Sequence, residues 1–299
     1  MFTEKLIYPW LIFSIICSCT ANTTKSAVSK AHLRNSTDVN FFTMIAQLVA
    51  TLVLLALTDD FQISWLTAGM AILFGVITLL ANLSAVQALH SGPMSLTTTL
   101  AYIGAMMIPA LSGALFFNED LPLSKILGVG CMLITIPLMV YQKKRRRENG
   151  ISVRWIIFAV ASMILSGLTG VMQKIHQSSS VKSELNSFIL LAFAFATAGA
   201  LIMFLIQKRK QPLTVDLSPK RAPFWLTIVY GVTVAFPNKI NLWLSGVMES
   251  AVFFPLVNGG GIILALLAAV VLFRERPSKQ QWIGLAFGVL AVFLLCGLF

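Results

Sequence analysis

Apolar residues fall along the chain in ten blocks, parted by short polar stretches. The blocks are 6–30, 40–58, 64–90, 95–117, 122–141, 154–177, 184–207, 223–246, 250–273 and 279–298. A helix crossing a bilayer needs about 20 mainly apolar residues, and each block is close to that length. The stops between them are charged or proline-bearing. Asp59-Asp60 ends the second block, and Lys143-Lys144-Arg145-Arg146-Arg147 follows the fifth. Lys208 to Arg221, with Pro212 and Pro219, follows the seventh. Arg274-Glu275-Arg276-Pro277 follows the ninth. The pattern predicts an all-α integral membrane protein with ten transmembrane helices. The first block is apolar to Ile16 and more polar beyond it. On its own it could be a secretory leader. Trp10-Leu11-Ile12-Phe13, however, resembles Trp155-Ile156-Ile157-Phe158 deep in the chain, so the block is expected to be retained.

That likeness belongs to a larger repeat. Ser91-Gly92-x-Met94 returns as Ser245-Gly246-x-Met248, an offset of 154. Glu119 and Gly128 return as Glu275 and Gly284, an offset of 156. The expected halves are residues 1–142 and 154–299, five helices each, joined by a basic connector at 143–153. An odd number of spans forces the second half to enter the membrane the other way round. Two inverted five-helix repeats result, and a solute site is expected near their interface.

Composition agrees with a lipid solvent. Of 299 residues 57% are apolar and 11% charged, and the mean hydropathy is +0.85. A soluble domain carries roughly 25% charged residues. The net charge of +11 sits in a few connectors, so it reads as an orientation signal and not as a nucleic-acid surface. Arg34, Lys143 to Arg147, Lys208, Arg209, Lys210, Lys220, Arg221, Arg274, Arg276 and Lys279 fall on one side of the ten-span layout. Lys5, Lys125 and Lys182 fall on the other. The first side is expected to be cytoplasmic, with connectors 5–6 and 7–8 there and both termini outside. The expected location is a bacterial plasma membrane. Cys17, Cys19, Cys131 and Cys296 lie inside apolar blocks without zinc spacing and read as small buried hydrophobes.

The paired blocks carry a family resemblance. Each half has an apolar helix ending at Glu119 or Glu275, then Pro122-Leu123-Ser124-Lys125 or Pro277-Ser278-Lys279, then a glycine-bearing last helix. Gln281-Trp282-Ile283-Gly284 follows Glu275. This resembles the EamA-like branch of the drug/metabolite transporter superfamily. The first half departs from the family's Gly-Glu-Arg/Lys pattern, having Asn118-Glu119-Asp120. The resemblance implies a secondary transporter of small solutes with no bound cofactor. It also implies a central cavity lined by spans 1, 3, 4, 6, 8 and 9.

Polar groups in a bilayer are costly, so intramembrane ones are candidates for function. Span 8 carries Pro237-Asn238-Lys239-Ile240-Asn241, with Lys239 within about 10 Å of the span centre. Proline can break a helix and expose its backbone to a solute. A snorkelling lysine and helix-gluing asparagines are the competing reading. Asn258, Gly259 and Gly260 in span 9 either permit an unwound turn or let helices approach closely. Tyr102 in span 4 fits a cavity or an interfacial belt. Asn82 and Gln87 in span 3 are intramembrane amides. Asn22 lies in the polar end of span 1 beside Lys30, and Lys174 ends span 6 in a similar place. Glu119 and Glu275 are expected to cap helix starts.

No carboxylate falls at mid-membrane in the ten-span layout. That argues against a proton-for-cation exchange through a buried glutamate. Lys239 without a facing acid points to an anionic or zwitterionic solute, such as an amino acid or organic anion. Efflux of lipophilic or cationic drugs is the alternative within the class. A membrane enzyme would need a catalytic set, and the three histidines His32, His90 and His176 form none with the acids. A scaffold or receptor would need neither Lys239 nor the glycine run. The expected partners are a small solute and the lipid bilayer. One chain holds both repeats, so a monomer suffices.

Overall fold

The computed structural model describes residues 6–91, 94–140, 152–216, 218–219, 221–273 and 278–296. Among the described residues the chain forms ten α-helices. They are α1 (Ile7–His32), α2 (Ser36–Ala56), α3 (Trp65–Ser91), α4 (Met94–Phe116) and α5 (Leu123–Val140). The rest are α6 (Val153–Ser178), α7 (Leu185–Lys208), α8 (Ala222–Val247), α9 (Ser250–Phe273) and α10 (Lys279–Leu295). The helices fall on the ten apolar blocks. Ser36–Ala56, Trp65–Ala85, Val153–Ser178 and Lys182–Lys208 are long and apolar enough to cross a membrane by length and composition. Leu100–Phe116, Leu123–Leu138, Ser250–Leu264 and Lys279–Leu295 are shorter apolar stretches. The chain is an integral membrane protein.

Local chemistry sets several helix ends. Asn35 caps α2, its side chain accepting from the Asp38 amide at 2.9 Å. Ser278 and Gln281 close a reciprocal capping box at the start of α10. The Gln281-Trp282 signature therefore begins with a helix start signal. At the end of α4, Asn118 takes φ 51° and the Glu119 amide donates back to the Gly113 carbonyl at 3.2 Å. A left-handed residue just past the helix, with the next amide returned to a carbonyl near the helix end, makes a helix stop. Glycine suits that position best and asparagine next, which accounts for Asn118 where the family usually has glycine.

The chain divides into two compact units. The first holds Met1–Leu79 and His176–Trp243, and the second holds Leu80–Ile175 and Leu244–Phe299. Helices α3, α6 and α8 contribute residues to both. Each unit thus draws on both halves of the sequence.

In the first unit α2 and α7 pack antiparallel. Thr37 at the start of α2 donates to Gln211 just past the end of α7 at 3.0 Å, and Thr51 meets Thr197 at 3.0 Å. Phe41 and Phe204 pack between them with tilted rings, centroids 5.0 Å apart. The α8 helix runs parallel to α2, with Tyr230 on Phe42 and Gly231 against Ala46 and Val49. The α3 helix runs parallel to α7 through Phe74 on Phe188, Gly75 on Ala192 and Leu79 on Gly199.

In the second unit α4 and α9 are antiparallel. Gly113 faces Ser250, and Asn258 reaches the Ala105 carbonyl at 3.5 Å. The α5 and α10 helices are antiparallel as well, with Gly128 on Leu295 and Thr135 on Gly288. The α6 helix lies parallel to α4, with Gly104 against Met163 and Gly170 against Pro109. Small residues at these crossings let backbones approach, the usual means of packing helices in lipid.

Candidate functional site

Two polar clusters stand out, one in each unit. The second unit's cluster is built on Glu119. The left-handed Asn118 turns the chain, and the carboxylate comes to rest over Gly113 and Ser250. A Cβ at Gly113 would strike the Glu119 carboxylate and lie 2.8 Å from the Ser250 Cβ, so glycine there makes the room. Glu119 Oε2 accepts from the Ser250 amide at 2.7 Å, and Oε1 accepts from Ser250 Oγ at 3.2 Å. Lys174 Nζ, from the last turns of α6, lies 2.5 Å from Glu119 Oε1. The same ammonium donates to the Met248 carbonyl at 3.2 Å. The side chains of the pair are 10% and 9% exposed. An outer pair, Lys125 with Glu249, borders it, and Lys125 also donates to the Asp120 carbonyl at 3.4 Å.

Glu119 therefore caps a helix start, but not that of α5, which follows it in sequence. It caps α9, in the other half of the chain. Glu184 does the same in the first unit, accepting from the amide of Ser64 at 2.8 Å and its hydroxyl at 3.0 Å, at the start of α3. An anion at a helix start is favoured by the amides left open there. Glu275, the repeat counterpart of Glu119, lies outside the described residues.

In the first unit Lys239 is 6% exposed and its Nζ donates to the Leu57 carbonyl at 2.6 Å. Leu57 is the residue that ends α2. The partner the structure gives this ammonium is thus a backbone carbonyl at the end of α2. Asn241 Oδ1 accepts from Ser14 Oγ of α1 at 2.5 Å. Asn238 turns back on its own helix, donating to the Val234 carbonyl at 2.9 Å. The α8 helix stays helical through Pro237.

The α9 helix likewise stays helical through Asn258, Gly259 and Gly260. Asn258 donates to the Phe254 carbonyl at 2.9 Å, and Gly259 packs on the Met132 thioether of α5. Close packing is what this stretch does here. Gln87 accepts from Arg154 at 3.3 Å, and Tyr102 and Asn82 are half-buried. The Asn22 and Lys30 side chains lie outside the described residues. Lys239, Asn238, Asn241 and Asn22 belong to the first unit, and Lys174, Asn258, Gly259, Gly260, Tyr102, Asn82 and Gln87 to the second.

Asp38, treated as a connector acid in the sequence, is fully buried. It accepts from the Thr214 amide at 2.7 Å, the Val215 amide at 3.0 Å and the Thr214 hydroxyl at 2.5 Å. The cap signal Asn35-x-x-Asp38 marked its place but not its distant partners. His176, also 0% exposed, stacks on Phe188 at 4.1 Å and leaves Nε2 without a protein partner.

Residues 153–297 match the EamA-like transporter family. An uncharacterized protein of Haemophilus influenzae is 22% identical over 199 residues, 64% of this chain and 62% of the relative. This chain thus spans less than two thirds of that relative's length. Solute carrier family 35 member B1 of Rattus norvegicus is 24% identical over 247 residues, 79% of this chain and 70% of that one. A crystal structure at 16% identity superimposes with a TM-score of 0.75, covering 99% of this chain and 98% of its own. Ten apolar helices, the glutamate-ended fourth helix and the capped Gln281-Trp282 start agree with those matches. The second half of the chain, residues 153–297, is thus similar to the EamA-like transporter family, and the all-helical membrane fold agrees with that likeness.

Proposed function

We propose that the protein is a secondary transporter that moves a small organic solute by alternating access between two inverted five-helix repeats, residues 1–142 and 154–299. The observation that carries this reading is the pairing of counterparts. Helices α2 and α7, α4 and α9, and α5 and α10 occupy matching places in the two halves, and each pair is antiparallel. The mixed pairs agree as well: α2 is parallel to α8, and α3 is parallel to α7. A half-turn about an axis in the membrane plane would produce these relations.

The solute class we propose is an amino acid or organic anion. Lys174 is taken by Glu119, whereas the Leu57 bond uses one of the three ammonium donors of Lys239. Lys239, with Asp59 two residues beyond its Leu57 acceptor in the chain, offers a cation to the carboxylate of such a solute. Connectors α1–α2 and α7–α8 would be cytoplasmic. Asn35 donates to the Pro212 carbonyl at 3.0 Å, which supports one side for both.

The experiment is counterflow of radiolabelled amino acids and organic anions into proteoliposomes. Uptake of a member of either group that fails with Lys239→Ala, in folded protein, is the expected result. Uptake limited to lipophilic cations would overturn the solute class.

A further inference from the structure

We propose that Glu119, Lys174 and Ser250 form a latch that closes the membrane face bearing the α4–α5 and α8–α9 connectors, with Glu119 and Lys174 as positioning residues for transport. The proposal rests on the alternating-access reading above. Three chain elements meet at one carboxylate: the α4–α5 connector, the last turns of α6 and the first residue of α9. The sequence is shaped for that meeting. Asn118 in the left-handed region sets the direction of the connector, and Gly113 leaves the space the carboxylate fills.

A buried ion pair is a poor way to add stability. An apolar pair of the same volume commonly does as well or better. What the ion pair offers is reversibility. When the contact parts and water enters, both ions are hydrated and the loss is small. An apolar pair in the same place would expose hydrocarbon on opening and hold the face shut. The Ser250 amide and the α9 helix start add direction, so the carboxylate returns to one position on closing. The outer pair, Lys125 with Glu249, couples the start of α5 to the residue before α9. The helix moved by opening would be α9, which carries Asn258, Gly259 and Gly260 about two to three turns further on.

The test is a single-cysteine probe. Cys17, Cys19, Cys131 and Cys296 are replaced by serine, and Ala251→Cys is introduced just behind the latch. Ala251 is 1% exposed, so a water-soluble maleimide should label it only when the face opens. Glu119→Gln should speed labelling in proteoliposomes by about tenfold, the shift expected when one favoured state loses its closing contact. The double variant Glu119→Leu/Lys174→Leu should slow labelling below the parent rate while unfolding no earlier on heating. A merely structural pair would not separate stability from opening in this way. Equal labelling in the parent, Glu119→Gln and the double variant overturns the latch. So does faster labelling in the apolar double variant with its thermal stability kept. Should Glu119→Gln fail to fold, the apolar double variant decides alone. Failure of every solute in the counterflow screen, with the labelling response intact, counts against the transport reading and leaves the latch standing.

Discussion

The Lys239 ammonium caps the C-terminus of α2, donating from Nζ to the Leu57 carbonyl at 2.6 Å. The last carbonyls of a helix lack intrahelical donors, and a cation there also meets the negative end of the helix dipole. Lys239→Met should therefore lower the unfolding free energy by about 2 kcal/mol, the scale of a hydrogen bond to a charged group. Thermal unfolding of purified protein in detergent measures it. Unchanged stability would mean that the ammonium serves the solute and not the helix end.

Two glycines give a paired prediction. A Cβ on Gly104 would lie 2.7 Å from the Met163 carbonyl carbon, which is backbone and cannot swing away. Gly104→Ala should cost about 1–3 kcal/mol, as overpacking does. Gly130 has nothing within 4 Å of the same point. Gly130→Ala should be neutral, or stabilising by up to about 1 kcal/mol through helix propensity. Gly259→Ala falls between them, because the atom it meets is the Met132 thioether, on a flexible side chain. Melting temperatures should rise from Gly104→Ala through Gly259→Ala to Gly130→Ala.

These contrasts show where sequence reading reaches and where it stops. Ten apolar blocks are legible because a bilayer demands length and low charge, and both are local properties. The Gln281-Trp282 signature is legible for a similar reason, since its capping box closes within three residues. Glu119 was recognisable as a capping acid, yet the helix it caps begins 131 residues away. Nothing local distinguishes a carboxylate that serves the next helix from one that reaches another half of the chain. The Asn118 departure carried the clue, because a residue suited to left-handed backbone re-aims whatever follows it. Pro237 and the glycine run suggested a broken helix. Both helices instead run unbroken through these positions, with the Asn238 and Asn258 amides returned to the Val234 and Phe254 carbonyls.

Asp38 ties the basic α7–α8 connector to the start of α2. Its carboxylate accepts from Thr214 and Val215, and Arg34 donates its amide at 3.1 Å. Asp38→Asn removes the charge and half the acceptor capacity. The connector should then open locally, and trypsin should cut after Lys208, Arg209 or Lys210 about tenfold faster. Cleavage at the parent rate would show that the clasp does not hold the connector.

The antiparallel pairing of α2 and α7 can be fixed covalently. Thr51 and Thr197 meet through their hydroxyls at 3.0 Å. Cysteines with Cβ atoms about 3.5–4.5 Å apart can form a disulfide without moving the backbone. Thr51→Cys with Thr197→Cys should cross-link under mild oxidation, while Thr43→Cys with Thr197→Cys, two turns displaced, should not. Gel mobility before and after reduction reads the result.

Sidedness labelling tests the inverted layout most directly. In a cysteine-free background, single cysteines at Arg34, Gln211, Asp60, Ser180 and Asp120 are exposed to a membrane-impermeant maleimide in intact cells and in inside-out vesicles. The account predicts that Arg34 and Gln211 react from one face, and Asp60, Ser180 and Asp120 from the other. Arg34 and Gln211 reacting from opposite faces, or Asp60 and Ser180 doing so, would contradict it.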